Sequence, residues 1–441
     1  MTEAVRRLAA AMVWLSAARA GAVTSGPSEA GHPSATAAVV HYDAHLEVDI
    51  ARGGVSGTVV LTAVGRGRGG DSLQLDSGDL IVDAVTVDGR TVEFSTANHH
   101  LDLPTPRLGP GERLLVSVTY HGRPRGGIRF LAERDQVYTA FSTSQWLVCL
   151  DAPDQKATLR LSVKLPDGVV AVGSGRPVGN HEWVLDMPTS TYLFGFAAGR
   201  FHSVADVRHG VRLQYVSESH SDSELRAIFR ETPDMLAFFE DRSGVRYRGA
   251  AYTQVLTGGR VEQEAGQLTL LGAAYARTLL DDPADVWLGA HEFAHQWWGN
   301  GVTCRDWTHF WLNEGFASFM ADAYKERRFG RAVYLKEIEA ARMRYERVRD
   351  AGHDKALVFP DWEHPTADDR VIVYSKGAYV LHLLREELGE RRFWEGMRAY
   401  TRTYMGQSVT TPDFQHAMER TSGADLTGFF RRWVYSAGGG V

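Results

Sequence analysis

The chain has 441 residues, of which 44% are hydrophobic and 23% charged, a composition typical of globular proteins and unlike that of disordered or fibrous ones. Its length predicts two or three domains, and its net charge of -6, spread along the chain, argues against a nucleic-acid partner. Two cysteines, Cys149 and Cys304, allow at most one disulfide, which excludes a disulfide-dependent scaffold.

The first 38 residues are predicted to be a signal segment and a flexible lead-in. Arg6 and Arg7 precede an apolar run over residues 8–18, long enough for the core of a signal peptide and too short to span a bilayer. The triplet at 18–20 offers a small-x-small cleavage pattern, whereas Glu3 is unusual before such a core. We expect export, with a frayed alanine-rich helix on a cytoplasmic protein as the alternative. No other stretch is apolar enough to span a membrane.

Residues 39–204 are predicted to form an antiparallel β domain of the sandwich kind. Short β-rich runs at 58–61, 80–82 and 114–118 alternate with glycine, proline and aspartate.

Residues 205–441 are predicted to form a mostly α domain with a small sheet that includes a strand over 252–256. The whole chain is thus predicted to be an α+β multidomain protein, an N-terminal antiparallel β-sandwich-like domain followed by a mostly α domain. Apolar residues recur with the helical period over 225–239, 285–298, 311–328, 332–349, 374–388 and 393–404.

One predicted helix carries two histidines four residues apart, His291 and His295. Positions i and i+4 lie on one helix face, so both imidazoles can bind one ion, and neutral imidazole suits zinc. Glu292 lies between them, where it can take a proton from water at the metal as general base. The alternative for so short a pattern is a core helix with two hydrogen-bonded histidines.

Glu314 is the predicted third ligand. Catalytic zinc takes a third protein ligand and keeps a fourth position open for water. Glu314 follows His295 by nineteen residues and opens a second apolar helix, after a glycine-containing loop. A carboxylate there can face the paired histidines, although it could also be only a favourable first-turn charge. The sequence therefore predicts one zinc ion held by His291, His295 and Glu314.

Two segments resemble the M1 family of zinc aminopeptidases, which are gluzincins with a thermolysin-like catalytic domain. They are HEFAHQWWGN at 291–300 and WLNEGFA at 311–317. Their flanks extend well beyond the bare zincin pattern and differ from those of thermolysin-type endopeptidases. The resemblance implies that residues 205–441 form a thermolysin-like zinc metallopeptidase domain.

The resemblance extends along most of the chain. CLDAPDQKA at 149–157 is similar to the family's Pro-Cys-x-Asp-x-Pro-x-x-Lys-Ala segment, with Val148 in place of the leading proline. STYLFGF at 190–196 resembles the strand that closes the family's β domain. The large C-terminal helical domain of longer members has no counterpart, so we expect a compact two-domain form.

Tyr374 takes its predicted role from the same resemblance. YSKG at 374–377 resembles the family's Tyr-x-Lys-Gly. This likeness implies that the Tyr374 hydroxyl donates a hydrogen bond to the oxyanion that develops on the scissile carbonyl. A buried aromatic at the start of a helix is the alternative.

The resemblance also implies a glutamate that holds the substrate's free ammonium group. The family uses the glutamate of a Gly-x-Met-Glu-Asn motif, and the corresponding stretch here is GRVEQEAG at 259–266. Counted from Gly259, Glu262 occupies the glutamate position of the motif. The following glycine lies one residue later than in the family, however, so Glu264 is an alternative for the same role. Methionine and asparagine of the motif are both replaced, and the two glutamates could instead be solvated loop charges.

The predicted function is zinc-dependent hydrolysis of peptide bonds with release of N-terminal amino acids. We expect one zinc per chain, peptide substrates, no nucleic acid and no obligate protein partner. The family's glutamine before the Cys-x-Asp segment has no clean counterpart, since Gln136 and Gln145 are both out of register. The alternatives are a zinc endopeptidase with a relaxed N-terminus pocket, another hydrolase such as an epoxide hydrolase, or a non-catalytic binding protein on the same scaffold.

Overall fold

A computed structural model describes residues 37–67, 70–360, 362 and 365–438. The predicted signal segment and almost all of the lead-in therefore lie outside the described residues. The chain divides into two compact units. We call them the β unit, with Gly249–Arg277 and the described part of Ser28–Phe229, and the helical unit, with Arg230–Arg248 and the described part of Thr278–Val441.

The β unit contains an eight-stranded sheet and three smaller ones. Its strands in chain order are β1 (Ala37–Asp49), β2 (Gly54–Gly65), β3 (Ser72–Asp76), β4 (Ile81–Val87), β5 (Arg90–Thr91), β6 (Ser95–Ala97), β7 (His100–Pro104), β8 (Arg113–Gly122), β9 (Ile128–Leu131), β10 (Gln136–Thr139), β11 (Lys156–Lys164), β12 (Val170–Gly173), β13 (Arg176–Gly179), β14 (Glu182–Ser190), β15 (Phe196–Gly199), β16 (His202–Arg208), β17 (Val211–Ser217), β18 (Ala251–Thr257), β19 (Glu262–Ala265) and β20 (Leu268–Gly272).

The largest sheet has the order β13-β14-β11-β1-β2-β8-β4-β5. Its strands alternate buried and more exposed residues, as in β1, where Tyr42, Ala44 and Leu46 point into the core. Neighbouring strands pair antiparallel except β1 and β11, which run parallel. The predicted antiparallel domain is confirmed for the other pairs of this sheet, and this pair is an exception because the long connection between β1 and β11 permits a parallel crossover that a tight turn cannot make.

A second sheet has the order β16-β17-β18-β20-β19 and mixes parallel with antiparallel pairs. Its strands β18 and β20 are buried along their whole length, as expected for strands covered on both faces. The predicted strand over 252–256 is confirmed within β18. Because this sheet joins residues 202–217 to 251–272, the β unit continues past the predicted domain boundary at residue 204.

Most of the helices lie in the helical unit, whereas Asp222–Ile228 and the start of Ala273–Asp281 lie in the β unit. None of them, within the described residues, has the length and apolarity needed to cross a membrane. They are α1 (Asp222–Ile228), α2 (Thr232–Ser243), α3 (Ala273–Asp281), α4 (Trp287–Ala294), α5 (Trp311–Phe329), α6 (Arg331–Asp350), α7 (Ala367–Val371), α8 (Gly377–Tyr404), α9 (Thr411–Ser422) and α10 (Thr427–Trp433).

Local sequence features set the helix boundaries at two places. The single helix predicted over 225–239 is two helices, α1 and α2, because Pro233 is favoured in the first turn of a helix and disrupts its interior. The two helices predicted over 374–388 and 393–404 are confirmed as two helical segments of α8, which Gly389 separates with a non-helical φ of 74° and ψ of 157°. Glycine adopts this conformation without the steric cost that a side chain would add.

The helical unit is organised around α5. Every residue of α5 from Trp311 to Lys325 is buried, and the helix packs against α4, α6 and α8. A helix buried on all sides holds its polar side chains in fixed positions, because each must find a partner within the protein.

Candidate metal centre and active site

Three predicted ligands converge on one point in the helical unit. His291 lies on α4, His295 caps its C-terminal end, and Glu314 lies in the first turn of α5. The two Nε2 atoms are 3.1 Å apart, and Glu314 Oε2 is 3.3 Å from that of His291 and 3.6 Å from that of His295. Tetrahedral ligands at zinc–ligand distances near 2.0–2.1 Å are about 3.3–3.4 Å apart. The separations therefore fit one zinc ion.

Contacts around both imidazoles fix their orientation. His295 Nδ1 lies 3.1 Å from the carbonyl oxygen of Trp298, an arrangement in which Nδ1 carries the proton and Nε2 keeps its lone pair for a metal. The His291 ring lies between two aromatic rings. Trp287 stacks on it with centroids 5.0 Å apart, and Tyr374 stacks with centroids 5.7 Å apart.

The charges of the three ligands also suit a divalent cation. Burial lowers the pKa of His291 to about 4, so the ring is neutral at neutral pH. Burial alone would raise the pKa of Glu314, but the adjacent His295 and His291 outweigh burial and hold it well below its usual range. Two neutral imidazoles and one carboxylate, all almost completely buried, form a donor set of the kind that binds catalytic zinc.

Glu292 and Tyr374 complete the group of predicted catalytic residues in the helical unit. Glu292 is buried and lies on α4 directly after His291. Tyr374 lies in a π-helical turn, Ile372–Lys376, between α7 and α8, whereas the sequence predicted a regular α-helix from this residue. Such turns are rare and frequently occur at functional sites. The turn directs the Tyr374 ring against His291.

Lys376 anchors this turn, a feature that the sequence analysis did not predict. Its Nζ donates to Asp354 Oδ1 at 2.9 Å and to the carbonyl oxygen of Lys355 at 2.6 Å, and the Lys376 side chain is completely buried. The Tyr345 hydroxyl donates to the same Asp354 carboxylate at 3.1 Å. The lysine of the Tyr-x-Lys-Gly segment could have indicated a buried ion pair. Its partner, however, lies twenty-two residues upstream, where the sequence pattern does not point to it.

Glu262 and Glu264 lie in the β unit, on β19 at the edge of the second sheet. Residues two apart on a strand share a face, so both carboxylates lie on one side of β19. Glu264 is buried and accepts a hydrogen bond from Gln263 Nε2 at 2.9 Å. Burial raises the pKa of the partly exposed Glu262. Neither glutamate is therefore the solvated loop charge that the alternative interpretation described.

Gly259 and Gln136 shape the segment before β19. A Cβ on Gly259 would collide with the Tyr138 hydroxyl, so only glycine fits there. Gln136 Oε1 accepts the Gly258 N–H at 2.8 Å, and its Nε2 donates to Glu218. Gln136 thus tethers the loop that precedes Glu262, although its register in the sequence gave no such indication. Gln145 lies elsewhere, in a 3-10 turn.

Comparisons with known proteins agree with this site. Residues 266–433 match the family profile "Peptidase family M1 domain". The probable aminopeptidase 2 of Sulfurisphaera tokodaii is 27% identical over 82% of this chain and 50% of its own length. Aminopeptidase N of Escherichia coli is 30% identical over 59% of this chain and 32% of its own. The chain spans about half the length of the first of these curated relatives.

Solved structures give a match over nearly the full length of both chains. The crystal structure of an M1 zinc metallopeptidase from Deinococcus radiodurans, bound to a Tyr-Ser-Ala substrate, superimposes with a TM-score of 0.79 and 25% identity. The match covers 92% of this chain and 95% of that one. Yeast LTA4 hydrolase, at 20% identity and a TM-score of 0.80, shares the fold. Residues 266–433 are thus similar to the peptidase family M1 domain, and the described chain has the fold of M1 zinc metallopeptidases.

Proposed function

We propose that the chain is a zinc-dependent aminopeptidase, which releases single amino acids from the N-termini of peptides. The observation that carries the proposal is the convergence of His291 Nε2, His295 Nε2 and Glu314 Oε2, with Glu292 on the same helix and Tyr374 stacked on His291. Relatives named aminopeptidases, and a related zinc metallopeptidase bound to a tripeptide, support the choice of substrate.

The protein residues divide the chemistry between them. When bound, zinc supplies Lewis acidity, which activates a water molecule and polarises a carbonyl group. Glu292 accepts the proton of the attacking water and passes it to the leaving amine. The Tyr374 hydroxyl donates a hydrogen bond to the oxyanion as charge develops on the scissile carbonyl. The stacking of Tyr374 on His291 supports this role, because it holds the phenol beside the metal ligands.

We further propose that Glu262 and Glu264 hold the substrate's ammonium group. A cationic partner strongly stabilises the charged form of a buried or partly buried carboxylate, because that carboxylate has lost much of its hydration. The two side chains share one face of β19, and the glutamate of the family's Gly-x-Met-Glu-Asn motif occupies the same stretch of sequence. Fixing the N-terminus in this way would restrict cleavage to the first peptide bond.

Hydrolysis of paired peptides tests the proposal. Each peptide is offered to the zinc-loaded chain with a free and with an acetylated N-terminus, and the products are identified by mass. Release of single residues from the free forms alone supports an aminopeptidase. Equal cleavage of both forms would contradict it and favour the endopeptidase. Glu264→Gln and Glu262→Gln should raise KM for the free forms, while the exposed Glu133→Gln serves as the control.

Export is a separate proposal, based on Arg6 and Arg7, the apolar run at 8–18 and the small-x-small triplet at 18–20. Expression of the full sequence with determination of its mature N-terminus tests it. A secreted product that begins after Ala20 supports export, and an intact N-terminus retained in the cytoplasm contradicts it.

A further inference from the structure

A second concave site lies within the helical unit, far along α5 from the metal ligands. We call it the arginine pocket, because four arginines line it together with two glutamates. Its volume is about 310 Å³. Glu326 in its wall lies more than three helical turns beyond Glu314 on α5, about 18 Å along the helix axis. The charged lining residues are Arg242, Arg327, Arg331, Arg385, Glu326 and Glu390.

Each oxygen of the two carboxylates in the arginine pocket accepts a hydrogen bond from a protein donor. Glu326 accepts from Arg331 Nη1 at 2.8 Å and from Arg385 Nη1 at 2.7 Å. Glu390 accepts from Arg385 Nε at 2.5 Å and from Trp394 Nε1 at 3.0 Å. Arg331 and Arg385 therefore pair with these two glutamates, Arg331 Nη2 also donates to Glu386 at 2.9 Å, and Arg385 itself is buried.

The remaining two arginines are poorly compensated. Arg242 Nε is buried and, among the described residues, has no hydrogen-bond acceptor. The carboxylate nearest its guanidinium is that of Asp241, 3.7 Å from Nη1, and this group also pairs with Arg398 at 3.5 Å. Arg327 is exposed and forms no ion pair with any residue that the structure describes. The Arg242 side chain is 27% exposed and lines the pocket, so the exposed part of its guanidinium can donate to a ligand there.

Two of the arginines pack on one aromatic ring in the wall of the pocket. The guanidinium carbons of Arg242 and Arg385 lie 4.6 Å and 5.5 Å from the ring centroid of Trp394. Burial lowers the pKa of Arg242, the negative charge of Asp241 partly opposes this effect, and the positive charges of Arg398 and Arg385 add to it. An anion in the pocket would offset that repulsion. The N-terminus of the 20-residue helix α6, which begins at Arg331, adds further positive potential.

We propose that the arginine pocket binds the phosphate group of a small anion through Arg242 and Arg327. Guanidinium groups match phosphate oxygens with paired, charge-assisted hydrogen bonds. The volume of the pocket is larger than a phosphate ion requires. It lies at the lower end of the range of volumes found for pockets that bind small organic ligands. The preferred ligand is therefore a small phosphate monoester, with inorganic phosphate as the other source of the same group.

Calorimetric titration of the zinc-loaded full chain tests the proposal at constant ionic strength. The two probes are glycerol 3-phosphate and inorganic phosphate. We expect saturable binding of one molecule per chain, tighter for the monoester. Arg242→Gln should weaken binding by about tenfold or more, since it removes a charge-assisted contact to the anion. Arg327→Gln should weaken it by a smaller factor, and the exposed Arg431→Gln should leave it unchanged.

The outcomes separate clearly. Saturable binding of inorganic phosphate alone, lost in the variants, supports the site and identifies the free ion as its ligand. No saturable binding of either probe in the millimolar range overturns the proposal, and so does binding that both substitutions leave unchanged. Because Arg242 packs on Trp394, its replacement could impair folding. In that case the exposed Arg327→Gln alone decides, since an unchanged affinity in this variant overturns the proposal.

Discussion

Gly315 on α5 and Gly377 at the start of α8 bring the backbones of these helices into direct contact. A Cβ built on Gly377 would lie 2.8 Å from Gly315 Cα, and one built on Gly315 would lie 3.0 Å from Gly377 Cα. Glu314 and Lys376 are the sequence neighbours of these glycines. The crossing therefore sets the distance between a metal ligand and the π-helical turn that carries Tyr374.

Replacing Gly377 with alanine should force the two helices apart. We expect Gly377→Ala to lower the free energy of unfolding by about 1–3 kcal/mol, as overpacking of a close contact does, and to weaken zinc retention and kcat together. Urea unfolding of the zinc-loaded protein measures the first effect. Gly428→Ala on α10 is the matched control, because open space surrounds that glycine. Equal stability of Gly377→Ala and wild type would show that the crossing tolerates a side chain.

Glu292→Gln should abolish turnover without removing the metal. The amide keeps the shape of the side chain but cannot accept the proton of the attacking water, so we expect kcat to fall by about 10²–10⁴-fold. Zinc content and hydrolysis are measured on the same preparation, with the exposed Glu339→Gln on α6 as control. A Glu292→Gln protein that retains wild-type kcat would remove this residue from the mechanism.

The metal ligands could be predicted from the sequence because their geometry is mostly local. His291 and His295 share a face through the helical repeat, and Glu314 opens the next long helix, so spacing alone brings them near one another. The link between Lys376 and Asp354 was not predictable in this way. It crosses a loop between helices, and nothing in the residue pattern specifies which buried carboxylate meets the lysine.

The same distinction applies to the fold. The β-rich runs between glycine, proline and aspartate residues made strands of the largest sheet recognisable from the sequence. The parallel pairing of β1 with β11 depends instead on a long connection, which carries no local signal. Helix periodicity located α5 to within a residue at each end. It did not indicate the break before α2, because the apolar pattern continues through Pro233.

Lys376 is predicted to act on catalysis by positioning Tyr374. Loss of one partner from a buried ion pair typically costs about 3–5 kcal/mol, so Lys376→Met should destabilise the protein. It should also lower kcat more than it changes KM, with zinc retained. Tyr374→Phe provides the reference, since loss of an oxyanion donor costs about 10²–10³-fold in kcat.

The exposed Lys336→Met on α6 controls for the loss of a lysine charge. The measurements are kcat, KM and zinc content below the unfolding temperature of each variant. If Lys376→Met is less stable but has wild-type kcat, the lysine supports the fold alone and does not position Tyr374.

Acid should destabilise the helical unit through Glu231. Burial raises the pKa of this carboxylate, but hydrogen bonds from Arg328 Nε and the Tyr324 hydroxyl, each 2.8 Å long, outweigh burial and lower it. The folded state therefore binds the proton more weakly than the unfolded state. The stabilisation is present above the unfolded pKa and is lost as the pH falls from about 5 through the lowered folded pKa.

Thermal unfolding of wild type and Glu231→Gln at a series of pH values checks this prediction. Glu231→Gln should be less stable at neutral pH and should lose less stability on acidification. The exposed Glu395→Gln should follow wild type. Parallel curves for Glu231→Gln and wild type would assign the acid sensitivity to other groups.

The central claim is that His291, His295 and Glu314 hold the zinc ion that hydrolysis requires. Zinc per chain and release of the N-terminal residue from a free peptide should be measured on the same samples of wild type, His295→Ala, Glu314→Gln and the exposed His416→Ala control. The account predicts one zinc per chain in wild type and the control, with hydrolysis that a chelator abolishes and added zinc restores. His295→Ala and Glu314→Gln should lose both. Hydrolysis by metal-free wild type, or full zinc content and activity in His295→Ala, would contradict it.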